Sequence, residues 1–481
     1  MTKMGRASLN LLSRADLDYI HDATLEILEN PGLEVPSKRA LAILKKAGAD
    51  VDYEKNRVAI PSYVVEEALN RAPKTVKYCG RNPKYDILLE KRRTYFTTDG
   101  YGTFIRDFET GERRRSTRED LGKWAVLADY LPLIHVFWPS ITPTDVPEAV
   151  EGLHALIVSL NNTEKHVETD AYTARGAQYE IEVAATIVGG KKELRKKPII
   201  SAVQCPIAPL KFDSGLIEAS IEFAKAGVPV VPLAMPLAGE TAPVTLAGTL
   251  VVTNAEVLGS LVISEFASPG SPVLYGACPG NIDFRTGVMV CSPESGLLSV
   301  ALEQLARYYD LPSEICGGCS DSKVPDAQAA YERTLTLVPA ILAGPDIVCG
   351  MGGLEAAKTM APELLIIDNE ILEGILRLVR GFEVNDDSLA LDIIRRVGPG
   401  GHYLAERHTL NHFLKEHWMP KISDRRTYDS WKKAGAKDTL EVAREKAKEI
   451  LATHKPEPIP KDVQKEISQI VKRYEKEFLK Q

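Results

Sequence analysis

The chain lacks a basic excess. Its 59 Lys and Arg are outnumbered by 66 Asp and Glu, for a net charge of −7, which leaves no positive field for nucleic acid or anionic lipid. Small molecules and proteins are the expected partners. An unbroken apolar run long enough to span a bilayer is also missing, because the most apolar region, Leu335 to Ala357, is interrupted by Pro339, Pro345 and Asp346. The N-terminal Met-Thr-Lys-Met-Gly-Arg has no apolar core of the secretion-signal type. Seven cysteines cannot all pair within one chain, and several sit in apolar, strand-like runs. The reading is a reduced, cytoplasmic protein. Several catalytic signatures are absent: no G-x-G-x-x-G follows a strand, and there is no P-loop, H-E-x-x-H, nucleophile elbow or pair of carboxylates at glycosidase spacing. Cys316 and Cys319 form a C-x-x-C, but no second pair at zinc spacing follows, so no metal is expected there.

What is present is a rhythm. Hydrophobic residues at 44% and charged residues at 26% are ordinary for a globular chain. Helical spacing over 15–29, 37–47 and 62–71 predicts an N-terminal helical cap over residues 1–92. From Arg93 onward, eight apolar strands (93–98, 134–138, 165–169, 199–204, 228–235, 273–277, 314–318 and 347–351) are each followed by a helix-length amphipathic segment. Strand–helix alternation predicts a parallel sheet, and eight units close a TIM (β/α)8 barrel over 93–400. An open, doubly wound sheet is the competing fold; the missing dinucleotide fingerprint counts against it. Gly398-Pro399-Gly400-Gly401 marks a boundary to a C-terminal helical extension, 401–481. It holds His402, His408, His412 and His417. His408, His412 and Glu416 share a helix face, a possible metal trio, though the spacing equally describes a solvated or partner-facing polar stripe.

The loops after the strands are rich in Gly, Pro, Cys and Asp, which marks the catalytic face. The stretch Cys316–Glu332 is typical: strand end, double glycine, polar turn, then a helix expected to begin at Pro325. Aromatics beside carboxylates stand out at these strand ends, and aromatic faces hold a quaternary ammonium by cation–π attraction. The candidate substrate-binding residues are Asp99, Tyr101, Trp138, Glu168, Tyr172, Gln204, Tyr275, Asp321 and Gln328. Gln204 and Gln328, the helix start at Pro325 or Arg285 would suit a substrate carboxylate.

Four motifs in order carry a resemblance that spans nearly the whole chain. They are Gly111-Glu112-Arg113-Arg114 with Ser116-Thr117 and Asp120-Leu121; the run Ser320–Glu332; Leu365–Ile371; and Gly401-His402-Tyr403-Leu404 with His408-Thr409, Trp418, Pro420, Asp424-Arg425 and Trp431. Together they resemble the trimethylamine:corrinoid methyltransferase superfamily. The resemblance implies a barrel that moves a methyl group from a methylated amine to the cobalt of a corrinoid (cobalamin) carried by a separate protein, with no tightly bound cofactor of its own. The trimethylamine branch carries pyrrolysine, whereas every residue here is standard. The sequence therefore looks like the non-pyrrolysine branch, whose members act on quaternary amines: glycine betaine first, with proline betaine or carnitine as alternatives. The same resemblance implies a homo-oligomer. Lys323, His402 and His408 are the residues expected at the corrinoid-docking surface. Two other readings stay open: a zinc-dependent methyltransferase with Cys205, Cys278, Cys316 or Cys319 as ligands, and a barrel that binds betaine without catalysis.

Overall fold

The computed structural model describes residues 7–91 and 93–479. Eight parallel strands form one sheet: β1 Tyr95–Thr98, β2 Val136–Phe137, β3 His166–Thr169, β4 Ile200–Val203, β5 Val230–Val231, β6 Tyr275–Ala277, β7 Ser313–Cys316 and β8 Ile347–Met351. β1 pairs with both β2 and β8, and parallel bridges Val230–Val273 and Ala234–Ala277 join β5 to β6, so the sheet closes as a TIM barrel. Each strand matches one expected from the apolar runs. All but β8, which spans its whole run, are shorter than those runs because the pairing ends before the apolar residues do. The barrel helices are α1 Arg118–Tyr130, α2 Glu151–Asn162, α3 Ala174–Val188, α4 Ser214–Ala226, α5 Leu246–Ala267, α6 Pro293–Tyr308, α7 Ala327–Ala343 and α8 Pro362–Arg380.

Local chemistry explains most of these boundaries. Thr117 and Asp120 form a reciprocal capping box at the start of α1. Helix α7 begins at Ala327 rather than Pro325: Asp326 is the N-cap, its carboxylate accepting from the Ala329 N–H at 3.0 Å. Aspartate is a far better cap than proline, and proline sits just outside. Helix α5 has an apolar stretch long enough to cross a membrane, a feature the sequence reading did not single out. It is a core helix: 78% of that stretch is buried against the barrel and the N-terminal helices.

The helices Arg14–Glu29, Lys38–Ala47 and Ser62–Arg71 pack on α5 and share one hydrophobic core with α4, α5 and α6. The hairpin Val76–Tyr78 with Ile87–Leu89 fills the barrel at the strand N-termini, its Tyr78 ring stacked on His166 at 3.9 Å. On the other side, helices Thr439–Thr453 and Lys461–Phe478 contribute Ala443, Ala447, Ile467, Ile470 and Tyr474 to the core around α1, α3 and α8. The hydrophobic cores thus run across the segment boundaries drawn from sequence. Two small sheets roof the strand C-termini: Phe104–Arg106, Arg113–Arg115, Gly353–Leu354 and Thr359–Met360 form one, and Leu237–Ala238, Gly280–Asp283 and Val288–Val290 the other.

Candidate active site

Period-2 alternation decides which strand residues face the barrel interior. Leu274, Val203, Ile347 and Cys349 point inward, and Cys205, Cys278 and Cys316 continue the inward rows at the strand ends. At the mouth they meet Asp99, Tyr101 and Trp138, and together with Leu233, Met235 and Met289 enclose a cavity of about 250 Å³. Tyr101 and Trp138 stand edge to face, ring centroids 5.4 Å apart. Tyr101 holds a left-handed backbone, φ 52°, a conformation a bulky residue adopts only where its surroundings force it. Its hydroxyl and the Trp138 Nε1 are buried without a hydrogen-bond partner among the described residues. Two such donors in one cavity wall are groups a ligand would satisfy.

The cavity is electronegative. Asp99 is buried and accepts from the N–H of its neighbour Gly100 at 2.9 Å. Burial, with the negative character of Cys316 beside it, pushes its carboxyl up to about 7. The thiols of Cys278 and Cys349 hydrogen-bond to Cys316, which holds Cys316 well below the usual thiol range; Cys278 and Cys349 are raised in turn. Cys316 and Cys349 are direct partners across β7 and β8. All seven cysteines are free. Lys358 lines the same cavity and makes no ion pair among the described residues.

Below this layer Glu168 and Glu314 face each other in the barrel interior. Glu168 accepts from Thr97 Oγ1 at 3.2 Å, whereas both Glu314 carboxyl oxygens lack a hydrogen-bond partner among the described residues. Burial, reinforced by Glu168, raises Glu314 well above the ordinary carboxylate range.

A larger cleft of about 800 Å³ adjoins the cavity and shares Met289, Ala356 and Lys358 with it. Arg113, Arg285, Asp321, Lys323 and Gln328 line this cleft. Between the cleft and the cavity runs a stretch of three left-handed residues, Glu355 (φ 54°), Ala356 (φ 50°) and Ala357 (φ 70°). Backbone bonds from Glu355 N to Ser322 O and from Ala356 N to Ser320 O tie that run to the loop after β7.

The residues expected from sequence therefore scatter. Asp99, Tyr101 and Trp138 come together in the cavity, while Asp321, Gln328 and Lys323 lie in the neighbouring cleft. Asp321 accepts from the Cys291 N–H, and Gln328 donates to Glu332. Glu168 sits one layer below the cavity. Tyr172 is more than half exposed in a neighbouring groove with Asp170 and Glu151, whose wall Tyr101 shares with the cavity. Gln204 and Tyr275 were expected at the mouth, and the structure corrects this. Both fall on the outward phase of their strands, Gln204 beside Ser220 of α4 and Tyr275 hydrogen-bonded to Asn254 of α5 at 2.9 Å. His402 and His408 lie in the segment that leaves α8 at its last turn, the end of a barrel helix away from the mouth. Cys349, Met289 and Lys358 were missed; the inward phase shared by Ile347 and Cys349 was the available signal for the first.

Among the described residues, the group of three metal-capable side chains with closely spaced ligand atoms is Asp387, His408 and His412, outside the mouth. Asp387 takes the place expected of Glu416. The cysteines at the mouth form no such group.

Residues 2–478 match the family described as trimethylamine methyltransferase (MTTB). The chain belongs to that family. The family's enzymes transfer methyl groups to corrinoid proteins, and this chain is a methyltransferase of that kind. It is 39% identical, over 97% of its length and 94% of the relative's, to the trimethylamine methyltransferase MttB of Desulfitobacterium hafniense. It is 34% identical to the glycine betaine methyltransferase of the same species, over 97% and 98% of the two chains. Among solved structures, the monomethylamine methyltransferase MtmB of Methanosarcina barkeri superposes with a TM-score of 0.51 at 12% identity, covering 91% of this chain and 93% of that one. That likeness concerns the barrel fold alone.

Proposed function

We propose that this MTTB-family enzyme takes a methyl group from a zwitterionic quaternary amine, glycine betaine first and proline betaine or carnitine next, and passes it in the cytoplasm to the Co(I) of a cognate corrinoid protein. The observation that carries the reading is that one small cavity presents groups for both signs of charge. The Tyr101 and Trp138 rings, with Asp99 and Cys316, suit a trimethylammonium head. The unsatisfied Tyr101 hydroxyl and the unpaired Lys358 suit the carboxylate. Trimethylamine would leave those donors unmet.

A quaternary nitrogen is permanently cationic, so it leaves as a neutral amine without prior protonation. The chain's task is to hold the methyl carbon in line toward the mouth and to keep water out. As the C–N bond breaks, nitrogen keeps its electron pair, and the methyl carbon bonds to cobalt with the pair that Co(I) supplies. The neighbouring cleft, with Lys323 on its wall, is the proposed approach for the corrinoid.

An anaerobic assay with cob(I)alamin or a corrinoid protein, offering glycine betaine, proline betaine, carnitine, choline and trimethylamine separately, tests the reading. Methyl-cobalt formation with a betaine and none with trimethylamine is expected. Methylation from trimethylamine alone would overturn it.

A further inference from the structure

After α8 the chain makes three short helices, Asp386–Leu389, Leu391–Val397 and Arg407–Glu416, and comes back to α8 where Arg377 donates to the Glu416 carbonyl at 2.6 Å. None of the three buries a residue, and at four, seven and ten residues they are shorter than helices that are stable alone in water. Something besides their own backbone bonds has to hold them together. The side chains that join the first helix to the third are Asp387, His408 and His412.

His408 and His412 stand one turn apart on the third helix, which puts both imidazoles on one face, and their rings stack at 4.1 Å. Both turn Nε2 toward Asp387: that of His408 lies 3.1 Å from the Asp387 carbonyl oxygen, and that of His412 lies 3.4 Å from its carboxylate. The ligand atoms of the three side chains are all within 4.8 Å of one another. At 3.4 Å the contact between His412 and Asp387 is long for a charge-assisted hydrogen bond, which prefers about 2.7–2.9 Å. It matches the edge of a tetrahedron around zinc, about 3.3–3.4 Å for zinc–ligand bonds of about 2.0–2.1 Å. Glu416, which the spacing offered as third ligand, pairs instead with Arg377 at 3.6 Å. The Asp387 side chain is 74% exposed and so is free to rotate onto an ion held by the more covered His412.

We infer that Asp387, His408 and His412 form a binding site for a divalent transition-metal ion, zinc first, that clips the first of these helices to the third. Two imidazoles with one carboxylate suit zinc and its neighbours in the first transition row, whereas magnesium and calcium take oxygen ligands. Three protein ligands leave a fourth position for water. The bound ion closes the chain between Asp387 and His408 into a loop, and closure through a metal stabilises a segment whose helices bury nothing of their own. Because the site lies outside the mouth, its role is to brace this segment, and methyl transfer does not pass through it.

The test is calorimetric titration of the EDTA-treated full-length protein with Zn²⁺, repeated with Co²⁺ and read by visible absorption. One ion per chain is expected, with the intense visible bands of four-coordinate Co²⁺. His412→Ala and Asp387→Ala should each weaken Zn²⁺ by more than the roughly 10–100-fold that losing an outer partner of a ligand costs, with unchanged circular dichroism. The exposure of Asp387 keeps its variant from failing through lost packing. Glu416→Gln and His417→Ala should bind as the wild type does. Trypsin cleavage after Arg395 and Arg396, which are exposed between the first and third helices, should slow when Zn²⁺ is added to the wild type and stay unchanged in His412→Ala. Absence of stoichiometric binding, binding undiminished in His412→Ala and Asp387→Ala, or wild-type cleavage that Zn²⁺ does not slow would each overturn the inference.

Discussion

Arg333 of α7 and Asp368 of α8 form a fully buried ion pair, Nε to Oδ1 at 2.8 Å and Nη2 to Oδ2 at 2.7 Å. The same two side chains hold the backbone on either side of the cavity floor. Arg333 donates to the carbonyls of Gly318 and Gly350, and Asp368 accepts from the Gly352 N–H at 2.6 Å. Two adjacent strand ends are thus fixed by one side-chain pair from the helix layer. Gly350, at φ 116°, has no room for a side chain there, since an added Cβ would fall 1.8 Å from the Gly317 carbonyl oxygen.

Removing one partner strands the other charge in the core. Asp368→Ala should cost about 3–5 kcal/mol in urea-induced unfolding and loosen the mouth. Replacing both, as Arg333→Met/Asp368→Leu, should recover much of the stability while losing methyl transfer, because the loop anchors are gone. A single-variant loss below about 1 kcal/mol would contradict the role assigned to the pair.

Asp99 makes the affinity for a quaternary ammonium pH-dependent. Burial holds its carboxyl at about 7 in the empty cavity, and a bound cation favours the ionised form. Below that pH the group is neutral and must give up its proton on binding; above it the charge is already present. If only the ionised form binds, the betaine Kd measured by calorimetry should fall about tenfold from pH 6 to pH 8. Asp99→Asn should flatten the profile and weaken binding at pH 8. A wild-type profile flat over this range would remove Asp99 from the cation site.

The barrel was legible because strands buried on both faces read as apolar runs, and strand–helix alternation leaves few topologies. Asp99, Tyr101 and Trp138 were legible for a related reason: they lie just past strand ends, where loops are free to carry chemistry. Gln204 and Tyr275 show where this fails. One residue of uncertainty in a strand's phase exchanges inside for outside, and both fell on the wrong side of that choice. Cys349 was hidden by the opposite effect, since a cysteine within an apolar strand reads as packing. The exposure of Leu404, Leu410 and Leu414 escaped notice because they are interleaved with charges and histidines, and only the fold shows that none of the described residues covers them.

Tyr101 and Trp138 should separate the two charges of the substrate. Tyr101→Phe keeps the ring and removes the hydroxyl proposed for the carboxylate. It should weaken glycine betaine several-fold, about 1 kcal/mol, and leave tetramethylammonium unchanged. Trp138→Leu removes an aromatic face and should weaken both ligands by about 0.5–2 kcal/mol. Equal effects of Tyr101→Phe on the two ligands would show that the hydroxyl does not see the carboxylate.

Cys316 gives an independent chemical handle on the cavity. Hydrogen bonds from Cys278 and Cys349, with the charge of Arg333, lower its pKa, and it lines the cavity wall. Cys205, in the same cavity, is pushed by burial up to about 12. A thiolate alkylates and a thiol does not, so iodoacetamide at pH 7 should label Cys316 well ahead of Cys205. Peptide mapping reads the order directly. Labelling should abolish methyl transfer by filling the cavity, and saturating betaine should slow it, because the ammonium occupies the same wall. Cys316→Ala should resist inactivation and bring Asp99 closer to the ordinary carboxylate range, which shifts the pH dependence of binding downward. Protection by betaine without any change in that pH dependence would keep Cys316 in the cavity but out of the electrostatics that tune Asp99.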